Sequence, residues 1–260
     1  MGSSFDISAG DYDQNFTHSN IGSSQRKQVY VYLKNHILNY RKLDILEVNC
    51  GTGEDAIWLA NKGHKVLATD ASKKMIAVAR NKTKFKNAIF KQLQIQDLNQ
   101  LKDRGFYDLI FSNFGGLNCL SPQDFSHFLS HSKNLLKRDG HLIMVIMSKN
   151  CVWDNLYLFI KAKWSCLGRR NTSNSNPVYV NGQKVDTWYY NPKDILNLGT
   201  ETMNLVDYRP IGLFVPPSYL ESFFKNKRLF LKFLGWLDKC LSRFSFLARF
   251  SDHYLIHLKA

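Results

Sequence analysis

Residues 45–56 read Ile-Leu-Glu-Val-Asn-Cys-Gly-Thr-Gly-Glu-Asp-Ala. An apolar run around one acid passes into a glycine turn and then into helix formers. Gly51 and Gly53 carry no Cβ, so the backbone there can turn sharply and approach a ligand closely. The turn opens onto a helix N-terminus, whose free N–H groups attract anionic or polar groups. A second strand, 65–70, follows that helix and ends in Asp70. A carboxylate at that point can take two hydrogen bonds from ribose hydroxyls. The pattern constrains the chain to parallel strands with a nucleotide-like site at their carboxyl ends.

The rest of the first half repeats this alternation. Residues 25–41 carry Val29, Leu33, Ile37 and Leu38 at helix spacing. Strand one is expected at 44–49, a helix at 54–61 and strand two at 65–70. Ser72 caps a helix running to about Lys82. Strands follow at 88–94 and 107–112. Ser121-Pro122 opens a helix that ends near Leu136. Asp139-Gly140 then turns into a strand at 141–147. Strands alternating with helices over short loops predict an α/β fold with a doubly wound, mostly parallel sheet and helices on both faces.

After Met147 the pattern changes. Residues 153–167 are aromatic and basic, and 169–176 form a Ser/Asn-rich loop. Residues 178–190, with Asn181-Gly182 at the centre, read as a β-hairpin. A short helix at 192–198 capped by Asn191, a strand at 203–208, a long helical stretch at 218–250 and a last strand at 252–259 complete the chain. This divides it into an N-terminal arm (1–24), a core (25–147), a lid-like insertion (148–190) and a C-terminal segment that completes the sheet (191–260).

The chain has 260 residues, 44% of them hydrophobic, enough for a full core. No apolar run is long enough to span a bilayer, and the polar, acidic start is unlike a signal peptide. Met1-Gly2-Ser3-Ser4 begins like a myristoylation site, but Asp6 stands where Ser or Thr is needed. The five cysteines are scattered without metal-ligand spacing, so no metal is expected and a reducing cytoplasm is. A formal net charge of +14 suits an anionic partner or simply solubility.

On these residues the chain resembles the class I (Rossmann-like) S-adenosylmethionine-dependent methyltransferases. Glu47-Val48-Asn49-Cys50-Gly51-Thr52-Gly53 matches the family's acid-x-Gly-x-Gly-x-Gly turn, with Asn49 replacing the first glycine. Asn tolerates left-handed backbone angles, so the turn can survive. Leu135-Leu136-Lys137-Arg138-Asp139-Gly140 resembles the family's approach to strand five. The resemblance implies a seven-stranded sheet with S-adenosyl-L-methionine as cofactor and S-adenosyl-L-homocysteine as product. It implies that Gly51 and Gly53 pass under the methionine part, that Glu47 orients it through its amino group or a water, and that Asp70 holds the ribose. Ala71 and Met75 would lie beside the adenine, with Asp97 and Leu98 at its amino edge. Asn113 and Phe114 would face the sulfonium and methyl group. Tyr12, with Asp13 and Phe16, resembles the arm that covers the cofactor in small-molecule members.

The glycine turn also satisfies the G-x-G-x-x-A form of a dinucleotide site. Glu47 and the order of the later features favour the methyltransferase. His253, opening the last strand, and His18, in the arm, are the candidate bases; each also suits a purely structural role. Strand four lacks the Asn/Asp-Pro-Pro-aromatic pattern of amide and exocyclic-amine methylation. That disfavours those nucleic-acid acceptors, and the large apolar residues mixed with Lys and Arg at 153–170 and 225–249 lead to the expectation of a small apolar or aromatic acceptor. An RNA methyltransferase using the basic surface, or a non-catalytic lipid- or partner-binding module, are the alternatives. Residues 225–249 interleave Leu229, Phe230, Phe233, Leu234, Leu237, Leu241 and Phe244 with Lys225, Lys227, Arg228, Lys232, Lys239 and Arg243. They suit a lid, an interfacial helix against acidic lipid, or a helix packed on the sheet with a solvated basic face. A cytoplasmic protein is expected, with peripheral membrane contact as one use of the charge.

Overall fold

The computed structural model describes residues 5–7, 9–38, 41–101, 105–180, 182–199 and 203–260. The start of the chain read against a myristoylation site (1–4) lies outside them, as does Asn181. Helix α1 spans Asn20–His36, β1 Asp44–Val48, α2 Glu54–Asn61, β2 Lys65–Asp70, α3 Lys73–Lys82, β3 Ala88–Gln92 and β4 Tyr107–Ser112. Then come α4 (Pro122–Leu135), β5 (Leu136–Met147), α5 (Val152–Ile160), β6 (Asn176–Val180), β7 (Gln183–Thr187), α6 (Pro192–Gly199) and β8 (Asn204–Ile211). Last are α7 (Glu221–Phe224), α8 (Arg228–Leu241) and β9 (His253–Lys259).

Seven strands form one sheet in the order β3-β2-β1-β4-β5-β9-β8. β9 runs antiparallel to both neighbours, and the pairings from β3 through to β5 are parallel. Side chains alternate between the two faces of each strand. Leu46, Val48, Ile110, Met144 and Ile146 join one core, against α4 and α6. Ile45, Leu109, Phe111, Ile143 and Val145 join the other, against α1 and α2. The order of crossovers reverses between β1 and β4, and open α/β sheets leave a crevice at that point.

Local chemistry sets the helix starts. Ser19, Ser72 and Ser121 have extended backbones, and their hydroxyls accept from the N–H groups of Gly22, Met75 and Asp124. Ser19 therefore starts α1 five residues ahead of the expected Gln25. β5 begins at Leu136 rather than His141. Tyr107 pairs with Leu136 and Leu109 with His141, so the expected Asp139-Gly140 turn is a bulge inside the strand, with Asp139 at φ 65°.

The largest difference is at 218–250. In place of one long helical stretch, a 3-10 turn at Ser218–Leu220, the short α7, α8 and a second 3-10 segment at Ser245–Phe250 follow one another. Asn20 Nδ2 donates to the Lys225 carbonyl at 3.3 Å, and Glu221 accepts from the Asn20 and Ile21 N–H groups at 2.9 Å. Contacts from the far end of the chain thus replace the bonds that would continue α7 into α8. The expected hairpin is present as β6–β7, with Gly182 at φ 80° in its turn.

Candidate active site at the carboxyl ends of β1 and β4

The glycine turn folds as its composition requires. Asn49, Gly51 and Gly53 have φ of 58°, 52° and 79°. A Cβ on Gly53 would lie 2.6 Å from the Phe90 ring and 2.9 Å from the Ala79 Cβ, so packing as well as backbone angle demands glycine there. Asp70 holds the turn in place. One carboxylate oxygen accepts from Gly51 N–H at 2.9 Å and the other from Ser72 N–H at 2.8 Å. Burial pushes the Asp70 carboxyl above the usual carboxylate range, and those two backbone N–H groups oppose the shift. The Gln92 amide donates to the Ala71 carbonyl at 3.1 Å, on the same rim.

Behind the turn lies a network that the sequence did not single out. Asp55, on the first turn of α2, accepts from Tyr30 Oη at 2.6 Å and Asn113 Nδ2 at 3.0 Å, and pairs with Arg26 at 3.0 Å. Glu47 is 1% exposed beside it. Burial drives the Glu47 carboxyl well up, Asp55 pushes it further, and Arg26 opposes both. Glu47 Oε2, Asn49 Nδ2, Ser112 Oγ and Asn113 Oδ1 are buried polar atoms with no hydrogen-bond partner. All four stand at the carboxyl ends of β1 and β4. Such atoms are rare in native proteins, and each costs about 1–3 kcal/mol. Their concentration beside an acid-anchored glycine turn fits a polar ligand rather than an apolar core.

The N-terminal residues close over this turn. The Tyr12 ring lies 3.8 Å from where a Gly51 Cβ would be. It packs on Phe16 with centroids 5.2 Å apart. Asp13 accepts from the Thr52 hydroxyl and from Lys82 Nζ at 2.7 Å. Asp6 accepts from the Ser72 hydroxyl and the Lys74 N–H, so it binds the start of α3. Burial raises the Tyr12 phenol, with Arg26 opposing, so the hydroxyl stays protonated at neutral pH.

At the tip of β4, Phe114 adopts φ 47° and meets two partners. The Arg26 guanidinium sits 5.2 Å from its centroid, and the His253 ring stands edge-on at 5.3 Å. His253 Nδ1 is 3.1 Å from Asp252. Burial favours the protonated Asp252, but His253, Arg170 and Gln25 overcome it and hold the carboxyl well below its usual range. Arg170 reaches Asp252 at 3.2 Å from the segment after α5, while Arg169 makes a two-point contact with the buried Asp154.

The remaining expected residues are less closely joined. Met75 and Leu98 are fully buried. Asp97 is half-buried in the 3-10 segment Ile95–Gln100, and its N–H donates to the Gln94 carbonyl. His18 is exposed, and its ionic partner is Glu54 at 3.7 Å. Of the two candidate bases, only His253 contacts Phe114. Arg26, Tyr30 and Asp55 escaped sequence reading because a helix-face Arg and an acid in a helix's first turn are ordinary residues. The one available signal was Asp55 directly beside the glycine turn.

A known methyltransferase domain matches residues 45–140, from β1 into the β5 bulge. Residues 45–140 are thus similar to a methyltransferase domain. The chain is 32% identical over 133 residues to a malonyl-[acyl-carrier protein] O-methyltransferase of Bacillus anthracis, covering 48% of this chain and 47% of that protein. It is 29% identical over 109 residues to a ubiquinone biosynthesis O-methyltransferase of Pelagibacter ubique (strain HTCC1062), covering 42% and 44%. The chain thus spans less than half the length of the curated relatives it matches. The fold extends further. The crystal structure of magnesium protoporphyrin IX methyltransferase from Synechocystis PCC 6803, with bound S-adenosylhomocysteine, superposes with a TM-score of 0.62 at 17% identity. That likeness covers 99% of this chain and 97% of that one, and it establishes the methyltransferase-domain fold with its seven-stranded sheet.

Proposed function

We propose that this chain transfers a methyl group from S-adenosylmethionine to the oxygen of a small apolar or aromatic acceptor. The observation that carries this reading is the set of unpaired buried polar atoms beside Asp70 and the glycine turn. Those residues fit the cofactor. Asp70 would hold the ribose hydroxyls, and Glu47 the amino group. Asn113 and Phe114 would flank the sulfonium, and Ala71, Met75, Asp97 and Leu98 the adenine. Tyr12 would cover them. When bound, S-adenosylmethionine supplies a methyl group already activated on a sulfonium, so positioning and deprotonation of the acceptor remain for the protein.

His253 is the residue suited to deprotonation. Its Nδ1 lies against Asp252, which leaves Nε2 to take the acceptor's hydroxyl proton. Phe114, edge-on to His253, offers an apolar wall for an aromatic acceptor. Oxygen is favoured because two relatives of the domain are named O-methyltransferases. The net charge of +14 supports a second reading, an RNA methyltransferase.

Calorimetric titration with S-adenosylhomocysteine, NAD and NADP is the first test. Micromolar binding of the first alone supports the reading, and binding of none by folded protein sinks it. A screen of phenolic and lipid extracts against tRNA and rRNA then separates the two acceptors. His253→Gln should lower kcat about 100-fold or more while leaving S-adenosylhomocysteine affinity unchanged.

A further inference from the structure

Two helices of the C-terminal half turn apolar side chains outward. On α5, Val152, Leu156, Phe159 and Ile160 are exposed, while Leu158 is buried. On α8, Leu229, Phe230, Phe233 and Trp236 are exposed, while Leu231 and Leu234 pack inward with Ile21, Val215 and Phe224. Leu229 is 81% exposed. In each helix the exposed positions recur at the spacing of one face. The two helices are joined through α7. Trp153 stands edge-on to Phe224 at 6.2 Å, Tyr157 meets Tyr219 at 5.4 Å, and Phe224 stacks with Phe230 at 6.2 Å. Single exposed apolar residues are normal, whereas a grouped set marks an interaction surface.

The fully exposed charged residues of this region are all positive. Lys161, Lys163, Lys225, Lys227, Arg228, Lys232, Lys239 and Arg243 are exposed. The acids in residues 151–170 and 218–250 are Asp154, Glu221 and Asp238. Asp154 is buried against Arg169 and Arg170. Glu221 is spent on α1's first N–H groups, and Asp238 accepts from Phe214 N–H and Gln28 Nε2. No acid of these segments is left to repel an anionic surface. The Lys227 ammonium lies 3.3 Å from the Phe223 ring centroid, so charge and apolar surface are interleaved. No helix among the described residues is long and apolar enough to cross a membrane.

We propose that α5, α7 and α8 form a surface that seats the protein on an anionic lipid bilayer. Protruding Leu, Phe and Trp enter the headgroup–acyl boundary, and the Lys and Arg rim meets acidic headgroups. The inference stands on this surface alone and does not depend on the methyl-transfer reading.

The test is flotation of the full chain with vesicles of phosphatidylcholine alone and of phosphatidylcholine with one quarter phosphatidylserine. Binding should favour the anionic vesicles by about tenfold or more and fall as salt rises. Leu229→Ser/Phe233→Ser/Trp236→Ser should abolish flotation with unchanged circular dichroism, since all three side chains are exposed. If that variant misfolds, Lys227→Glu/Arg228→Glu/Lys232→Glu carries the test, with at least about a tenfold loss expected. Equal binding to neutral vesicles, or none to either, overturns the proposal. So does a concentration-dependent dimer, or tRNA binding, that these substitutions abolish while vesicle binding persists.

Discussion

Glu47 holds a carboxyl where water cannot reach it, with Asp55 close enough to oppose its ionisation and Arg26 as its one compensating charge. The sign of the consequence is definite. A folded pKa above the unfolded value contributes stability that is complete below about pH 4.3 and is lost as pH rises through the folded value. Glu47→Gln removes that loss. It should stabilise the ligand-free protein at pH 7–8 by roughly 0.5–2 kcal/mol, read by urea denaturation. A positively charged amino group bound at Glu47 would instead favour the carboxylate. Titration with S-adenosylhomocysteine in buffers of different ionisation heat should therefore show proton release, and Glu47→Gln should abolish it and weaken affinity about tenfold or more. Binding without proton release would separate Glu47 from the amino group. Gly53 poses a packing question at the same scale. Gly53→Ala puts a methyl into Phe90 and Ala79 at a left-handed backbone angle, and about 2–4 kcal/mol of stability should be lost.

Among the elements, β9 carries a pH-sensitive contact. His257 is buried between Tyr32 Oη, 2.9 Å from its Nδ1, and His141 Nδ1, 2.8 Å from its Nε2. Burial, with His141 and His36 nearby, pulls the His257 imidazole down to about 3. Here the folded state resists protonation that the unfolded state accepts below about pH 6.5. Stability should fall as pH drops from about 6.5 to 3, by at most about 1.4 kcal/mol per pH unit from this group. His257→Phe should flatten that slope; an unchanged slope would move the effect to other groups. The N-terminal elements behave differently, because they bind through partly exposed ion pairs such as Lys82–Asp13. Asp13→Ala should cost within about 1 kcal/mol of stability while speeding S-adenosylhomocysteine dissociation, since it loosens the cover and not the core.

Across the whole molecule, the segment after β5 joins the core and the surface. Removing 153–183 outright would take Arg170 from the buried Asp252 and leave it only His253 and Gln25, a loss of up to about 3–5 kcal/mol. The hairpin alone is the cleaner cut. Asn176 and Thr187 are cross-strand partners, so a short Gly-Ser link can replace what lies between them. If residues 148–190 act as a lid over the acceptor, this replacement should keep S-adenosylhomocysteine affinity and lose methyl transfer. Loss of both would make the hairpin part of the folded core.

The strand–glycine–helix unit, Asp70, the serine caps and the alternation of strands with helices were legible in the sequence because each depends on neighbours a few residues away. Backbone angles, capping hydroxyls and apolar periodicity act at that range, and α2, β2, α3 and β4 fall where those signals put them. The count of seven strands was legible only through family resemblance, and their order came from the tertiary structure. The Tyr30–Asp55–Asn113 network, the His253–Phe114 contact and the Tyr32–His257–His141 chain join residues from distant segments, up to 225 positions apart for Tyr32 and His257. No local pattern encodes such a meeting. The same holds for 218–250, where periodicity announced an apolar helix face. Only packing against α1 and Val215 decided that Leu231 and Leu234 turn inward while Leu229, Phe233 and Trp236 face out. Periodicity marks which residues share a face, and the tertiary partners determine which face is covered.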